Sequence, residues 1–213
     1  MILGLFAVPF LSLAQTSAEL TLSNLDLPTV EKLLETGNFL IVRERPDGSL
    51  KEASAGTLVD APLDVVWDTI MDYGHYPEFM PQTEEMQIVK RVSENEVIVE
   101  QTIAVTISVI KVHLTYQLRQ MAEPKKKIRF EHVSGDLPGT HGGWDLLAID
   151  DGKRTIIFYS LFSNLMALPW PAGAILRAEP DFMTAVNVTT AMLVAKAVRE
   201  ECEKRARSFP VPQ

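Results

Sequence analysis

Between residues 84 and 162 the chain reads as six extended stretches in succession, with no long helical pattern between them. The stretches are 84–92, 96–107, 108–120, 126–134, 140–149 and 154–162. Turn-forming clusters divide them at Ser93-Glu94-Asn95, Glu123-Pro124-Lys125, Gly135–Gly139 and Asp150-Asp151-Gly152. Breaks this short leave no room for a crossover helix, so successive strands pair antiparallel. Alternation within the strands shows which side is buried. Val97, Val99, Ile103, Val105 and Ile107 share one face, and Glu100, Thr102 and Thr106 the other. The next strand sets Ile110, Val112, Leu114, Tyr116 and Leu118 against Lys111, His113, Gln117 and Arg119. Ile128, Phe130 and His132 continue the apolar side on the strand after it, followed by Trp144 and Leu146. The pattern predicts a sheet with one covered face and one wet face.

Helical signals flank the sheet. Leu27–Leu34 begins with Pro at the first helical position and carries Val30, Leu33 and Leu34 as one stripe, stopped by Gly37-Asn38. Phe39–Val42, a Pro46-Asp47-Gly48 turn and a run ending Thr57-Leu58-Val59 predict a hairpin. Ala61-Pro62-Leu63-Asp64 opens a second helix with Leu63, Val66, Trp67 and Ile70 on its apolar side. From about Pro180 to Arg207 the pattern is helical again, with Phe182, Val186, Leu193 and Ala197 expected on the buried side. This is the one long element able to cover the sheet. The expected fold is therefore α+β, a curved antiparallel sheet around a long C-terminal helix with a short N-terminal helical extension. A strongly bent sheet around one helix leaves a cavity between the layers.

Composition narrows the function. The chain has 213 residues, enough for one domain with extensions. Its formal charge of −8 fits phosphate backbones poorly, so no nucleic acid is expected. A single cysteine, Cys202, excludes an internal disulfide and a multi-cysteine zinc site. No metal or cofactor is expected, and no oligomeric state follows from the residues. Residues 1–14, MILGLFAVPFLSLA, are uncharged and almost wholly apolar. With small residues near Ala14 and Ala18 they read as a signal peptide over 1–18, although no Lys or Arg precedes them. A buried N-terminal helix is the other reading. The signal would make the protein exported, and periplasmic in a bacterium. The division expected is then 1–18 leader, 19–52 helix and strand extension, 53–207 ligand-binding domain and 208–213 tail.

The phrase Val59-Asp60-Ala61-Pro62, the Val66-Trp67 pair, and Asp72-Tyr73-Gly74-His75-Tyr76-Pro77-Glu78-Phe79-Met80-Pro81 resemble the START-like helix-grip (SRPBCC) superfamily. The nearest branch is the polyketide cyclase and coenzyme Q-binding group, and Gly143-Trp144-Asp145-Leu146 and Tyr159-Ser160-Leu161 also fit. The likeness spans roughly 53–207. It implies a hydrophobic ligand held between the sheet and the C-terminal helix. It says little of chemistry, because the superfamily holds carriers, receptors, chaperones and some enzymes.

The primary expectation is non-catalytic binding or transport of a lipid, sterol-like or isoprenoid molecule. Leu114, Tyr116, Phe130, Trp144, Tyr159, Met183 and Val186 are the expected walls, and Gln101, His132 and Asn187 the groups holding the ligand's polar end. A second hypothesis is a cyclase or dehydratase using His132, with Tyr159 or Asn187. No carboxylate is placed to orient that imidazole, and no other catalytic residue is expected. A third is an envelope interaction module using loop 163–172, which carries Leu165, Met166, Leu168 and Trp170. That loop is either a core plug or a gate that touches a lipid surface transiently.

Overall fold

In a computed structural model, residues 26–107, 110–168, 173–174 and 180–208 are described. The stretch 1–18, expected to be a leader, and residues 209–213 lie outside these residues. The strand pattern closes into one eight-stranded antiparallel sheet. Its members are β1 (Phe39–Glu44), β2 (Leu50–Val59), β3 (Thr83–Ser93), β4 (Glu96–Ile107), β5 (Ile110–Glu123), β6 (Lys127–Gly135), β7 (His141–Ile149) and β8 (Arg154–Phe162). The order is β1-β2-β8-β7-β6-β5-β4-β3. The meander from β3 to β8 is the expected one. The N-terminal hairpin joins it by pairing β2 with the last strand, Ala53 opposite Leu161 through Val59 opposite Thr155.

Among the described residues the sheet is accompanied by the helices α1 (Leu27–Thr36), α2 (Leu63–Met71), the short α3 (Tyr76–Phe79) and α4 (Pro180–Ser208). None of the described helices is long and apolar enough to cross a membrane. The sheet curves around α4, whose buried stripe is Met183, Asn187, Ala191, Ala195, Val198 and Cys202. This corrects the expected stripe: Phe182 and Leu193 are exposed, at 47% and 44%. The helix turns its small side chains inward, and alanine at 191 and 195 lets its backbone approach the strands.

The wet face is covered at one end. Val30 and Leu34 of α1 pack with Ile156 and Phe158 on the convex side. Strand β8 is therefore buried on both faces, as its RTIIFYSLF run of apolar residues requires. Arg154 fixes α1 by an ion pair to Glu31 at 3.0 Å. Near the end of α4, Arg205 donates to Asp72, just after α2, at 2.9 Å, and to Glu201 at 2.9 Å. The C-terminal half of the long helix is thus tied to the aromatic loop Tyr73–Phe79.

Candidate ligand cavity

The concave side is filled unevenly. Beyond Val194, α4 packs through Ala195, Val198 and Cys202, each 1% exposed or less. Before it, Val186, Asn187, Thr190 and Val194 border a cavity of about 110 Å³. The strands supply the opposite wall. Trp144 of β7 and Tyr159 of β8 lie with ring centroids 4.3 Å apart, and Phe130 of β6 sits 6.2 Å from Tyr159. Phe130 reaches this position because its cross-strand partner is Gly142, over which its ring lies. A Cβ at Gly142 would come within 2.6 Å of that ring and 2.0 Å of the Ser160 carbonyl oxygen.

Of the residues expected at the site, Gln101, Tyr116, Phe130, Trp144, Tyr159, Val186 and Asn187 line this cavity. Leu114 and Met183 belong to the packed core around it, at 1% and 7% exposed. His132 does not line it. Its Nε2 faces the carbonyl oxygens of Asp136 at 3.1 Å and Gly135 at 3.3 Å. The register of β6 shifts between Ser134 and His132, which brings the loop's carbonyls within reach of the imidazole. His132 is thereby a loop anchor, and the expected catalytic or ligand-holding role is corrected. Asn187 stands differently. It borders the cavity, but its Oδ1 accepts the Ser163 N–H at 2.7 Å, and its Nδ2 donates to the carbonyls of Ser163 at 3.1 Å and Met183 at 3.0 Å. Both amide protons are thus taken, and Oδ1 keeps one lone pair for a ligand's donor. Gln101 donates to the Thr83 hydroxyl at 3.2 Å.

The apolar loop after β8 turns inward. Leu165 and Leu168 are 5% and 3% exposed, Leu165 borders the cavity, and Met166 is half-buried. Trp170 lies outside the described residues.

Residue-by-residue reading of the sequence missed Gln82, Gln120, Leu137 and Ser163, all of which border the cavity. Gln120 was readable, since it shares the parity of Tyr116 and Leu118. Leu137 was not. It is a non-glycine residue at φ 57°, in the left-handed region, and is 2% exposed. That conformation costs roughly 1–2 kcal/mol. It is held by the Thr140 hydroxyl donating to the Leu137 carbonyl at 2.8 Å and by a reciprocal pair between Thr115 and Asp136.

The electrostatics of the cavity are simple. Among the described residues, no lining side chain is acidic or basic. Burial raises the ionisation of Tyr76, Tyr116 and Tyr159 far above the ordinary phenol range, so all three remain O–H. The Tyr76 hydroxyl donates to the Ile70 carbonyl at 2.6 Å. The Tyr73 hydroxyl, raised by burial as well, donates to Gln120 Oε1 at 2.9 Å. The site offers apolar walls and neutral hydrogen-bonding groups.

Comparisons with known proteins agree with this architecture. Residues 59–179 match the family model described as polyketide cyclase / dehydrase and lipid transport. No curated protein matches the chain. Among solved structures, Zhui aromatase/cyclase from Streptomyces sp. R1128 superposes with a TM-score of 0.59 at 19% identity, covering 74% of this chain and 96% of that one. The STAR-related lipid transfer protein (fragment 25–204) from Xanthomonas axonopodis gives 0.60 at 18%, covering 78% and 93%. A START superfamily protein from Mycobacterium smegmatis gives 0.51 at 15%, covering 72% and 98%. At these identities the likeness is one of fold.

Proposed function

Because the chain belongs to the polyketide cyclase / dehydrase and lipid transport family, we propose that it binds or carries a hydrophobic small molecule, of lipid, sterol-like or isoprenoid type, without transforming it. The observation that carries this reading is the cavity itself: aromatic and aliphatic walls, with no acidic or basic side chain among the described lining residues. General acid–base chemistry needs a group that exchanges protons near the working pH. The tyrosines are held far above it. The cyclase alternative depended on His132, which is engaged with loop carbonyls outside the cavity.

Magnitudes support binding by shape. The cavity, about 110 Å³, is somewhat smaller than the 150 Å³ apolar cavity that holds benzene, so a ring-sized unit enters with a small outward shift of the lining side chains. Burying such a unit, with about 200 Å² of apolar surface, gains about 5 kcal/mol gross. A longer molecule adds to this but requires the rim side chains to move. Gating through the loop at Leu165–Leu168 during brief contact with a lipid surface is part of the proposal. So is delivery outside the cytoplasm by the apolar stretch 1–18.

The test is solvent extraction of purified protein followed by mass spectrometry, on wild type and on Val186→Trp, which fills the cavity. A hydrophobic molecule at near-stoichiometric amount in wild type and its loss in the variant are expected. Ligand-free wild type that also binds no hydrophobic probe up to the probe's solubility limit would overturn the reading.

A further inference from the structure

Three side chains of the cavity carry hydrogen-bond donors that no group among the described residues takes up. Tyr116, Tyr159 and Gln120 are 7%, 8% and 7% exposed, and all three border the same space. Among the described residues, neither the Tyr116 nor the Tyr159 hydroxyl has a hydrogen-bond partner. Gln120 has its Oε1 fixed by the Tyr73 O–H, and no group among the described residues takes its amide protons. The buried side-chain atoms without a hydrogen-bond partner among the described residues lie elsewhere, at Arg43 Nε and Glu52 Oε1, so these three donors are reachable from the cavity and available to whatever fills it.

Several of the other polar groups of the cavity are committed. Asn187 is used by Ser163 and Met183, the Thr140 hydroxyl by Leu137, and the Gln101 amide nitrogen by Thr83. What remains is rich in donors and free of charge. The two phenols feel each other, since Tyr116 adds to the elevation of Tyr159, and both stay protonated.

Resting on the reading of this cavity as a ligand site, we propose that Tyr116, Tyr159 and Gln120 form a donor subsite for the carbonyl oxygen of an uncharged, ring-sized ligand. A carbonyl oxygen has two lone pairs and no proton, so it takes up two of these donors and adds none. A carboxylate would be buried without a cation among the described lining residues, which the dry walls penalise heavily. A pure hydrocarbon would fill the volume and leave the donors unmet.

Calorimetric titration of the ligand-stripped full chain separates these cases. The probes are acetophenone, α-methylstyrene, in which a CH₂ replaces the carbonyl oxygen, and benzoate. Acetophenone should bind about tenfold more tightly than α-methylstyrene, and benzoate should not bind measurably. Tyr116→Phe and Tyr159→Phe, which keep the ring, should each weaken acetophenone about fivefold and leave α-methylstyrene within twofold. The infrared carbonyl band of bound acetophenone should lie lower in wild type than in either variant. Equal affinity for the ketone and the styrene, or tyrosine variants that bind the ketone unchanged, would overturn the donor subsite while leaving the cavity as a ligand site. Failure of both neutral probes to bind would overturn the subsite and the parent reading together.

Discussion

The side-chain amide of Asn187 takes both backbone polar groups of Ser163, its Oδ1 accepting the N–H at 2.7 Å and its Nδ2 donating to the carbonyl at 3.1 Å. This couples the first turns of α4 to the residue that follows β8. The Asn187→Ala variant strands the Ser163 N–H, at about 1–3 kcal/mol, whereas the Ser163 carbonyl keeps the Leu165 N–H at 3.0 Å. A fall in Tm of about 2–12 °C is expected in thermal unfolding. A change under about 2 °C would show that Ser163 finds other partners.

Gly142 is required by close approach. Its missing Cβ would lie 2.0 Å from a backbone carbonyl oxygen, which cannot rotate away. Gly142→Ala should cost about 3 kcal/mol or more, above the ordinary range for overpacking. Gly74→Ala serves as the control, since a Cβ there meets nothing within 4 Å. It should leave Tm within about 2 °C of wild type. Equal effects of the two substitutions would refute the steric argument.

The Asp72–His75 pair makes stability depend on pH. The Asp72 carboxylate sits 2.7 Å from His75 Nδ1 and raises the imidazole above its ordinary 6.5, by hydrogen bonding first and charge second. Burial alone would raise Asp72, but its bonds to His75 and Arg205 outweigh that and hold it below 3.8. The histidine contribution is therefore fully present below pH 6.5 and disappears as pH climbs through the raised value. The aspartate contribution is present above pH 3.8 and disappears as pH drops through the lowered one. The Tm difference between wild type and His75→Gln should be larger at pH 5.5 than at pH 8.5. A difference that ignores pH would count against the pair.

Cys202 should behave as an inert thiol. It is fully buried, and burial pushes its ionisation up to about 12. The thiolate is the reactive form, so iodoacetamide at pH 8 should leave the native protein unmodified. The same reagent in urea should add one label. Rapid labelling without denaturant would mean that the C-terminal part of α4 opens locally.

Much of the fold was legible because a period of two is hard to disguise. Tyr116, Phe130, Trp144 and Tyr159 share the concave side by parity alone, and the structure gathers them at one cavity. The long helix was misread for a physical reason. Hydropathy favours large residues such as Phe182 and Leu193, whereas close helix–sheet contact selects small ones such as Ala191 and Ala195. His132 was misjudged because a register shift and a five-residue loop decide where its ring points. Asn187 has the right polarity and position, yet its partners come from a backbone segment 24 residues away, which no local pattern announces.

The graded packing along α4 has a mechanical consequence. Its second half is solid, clamped by Arg205 to Asp72, whereas its first half borders empty space and is held at Ser163. Hydrostatic pressure favours whichever state eliminates internal voids. Compression should therefore loosen the Asn187 end well before the Cys202 end. The molecule is soft on the side where a guest would sit and stiff on the other.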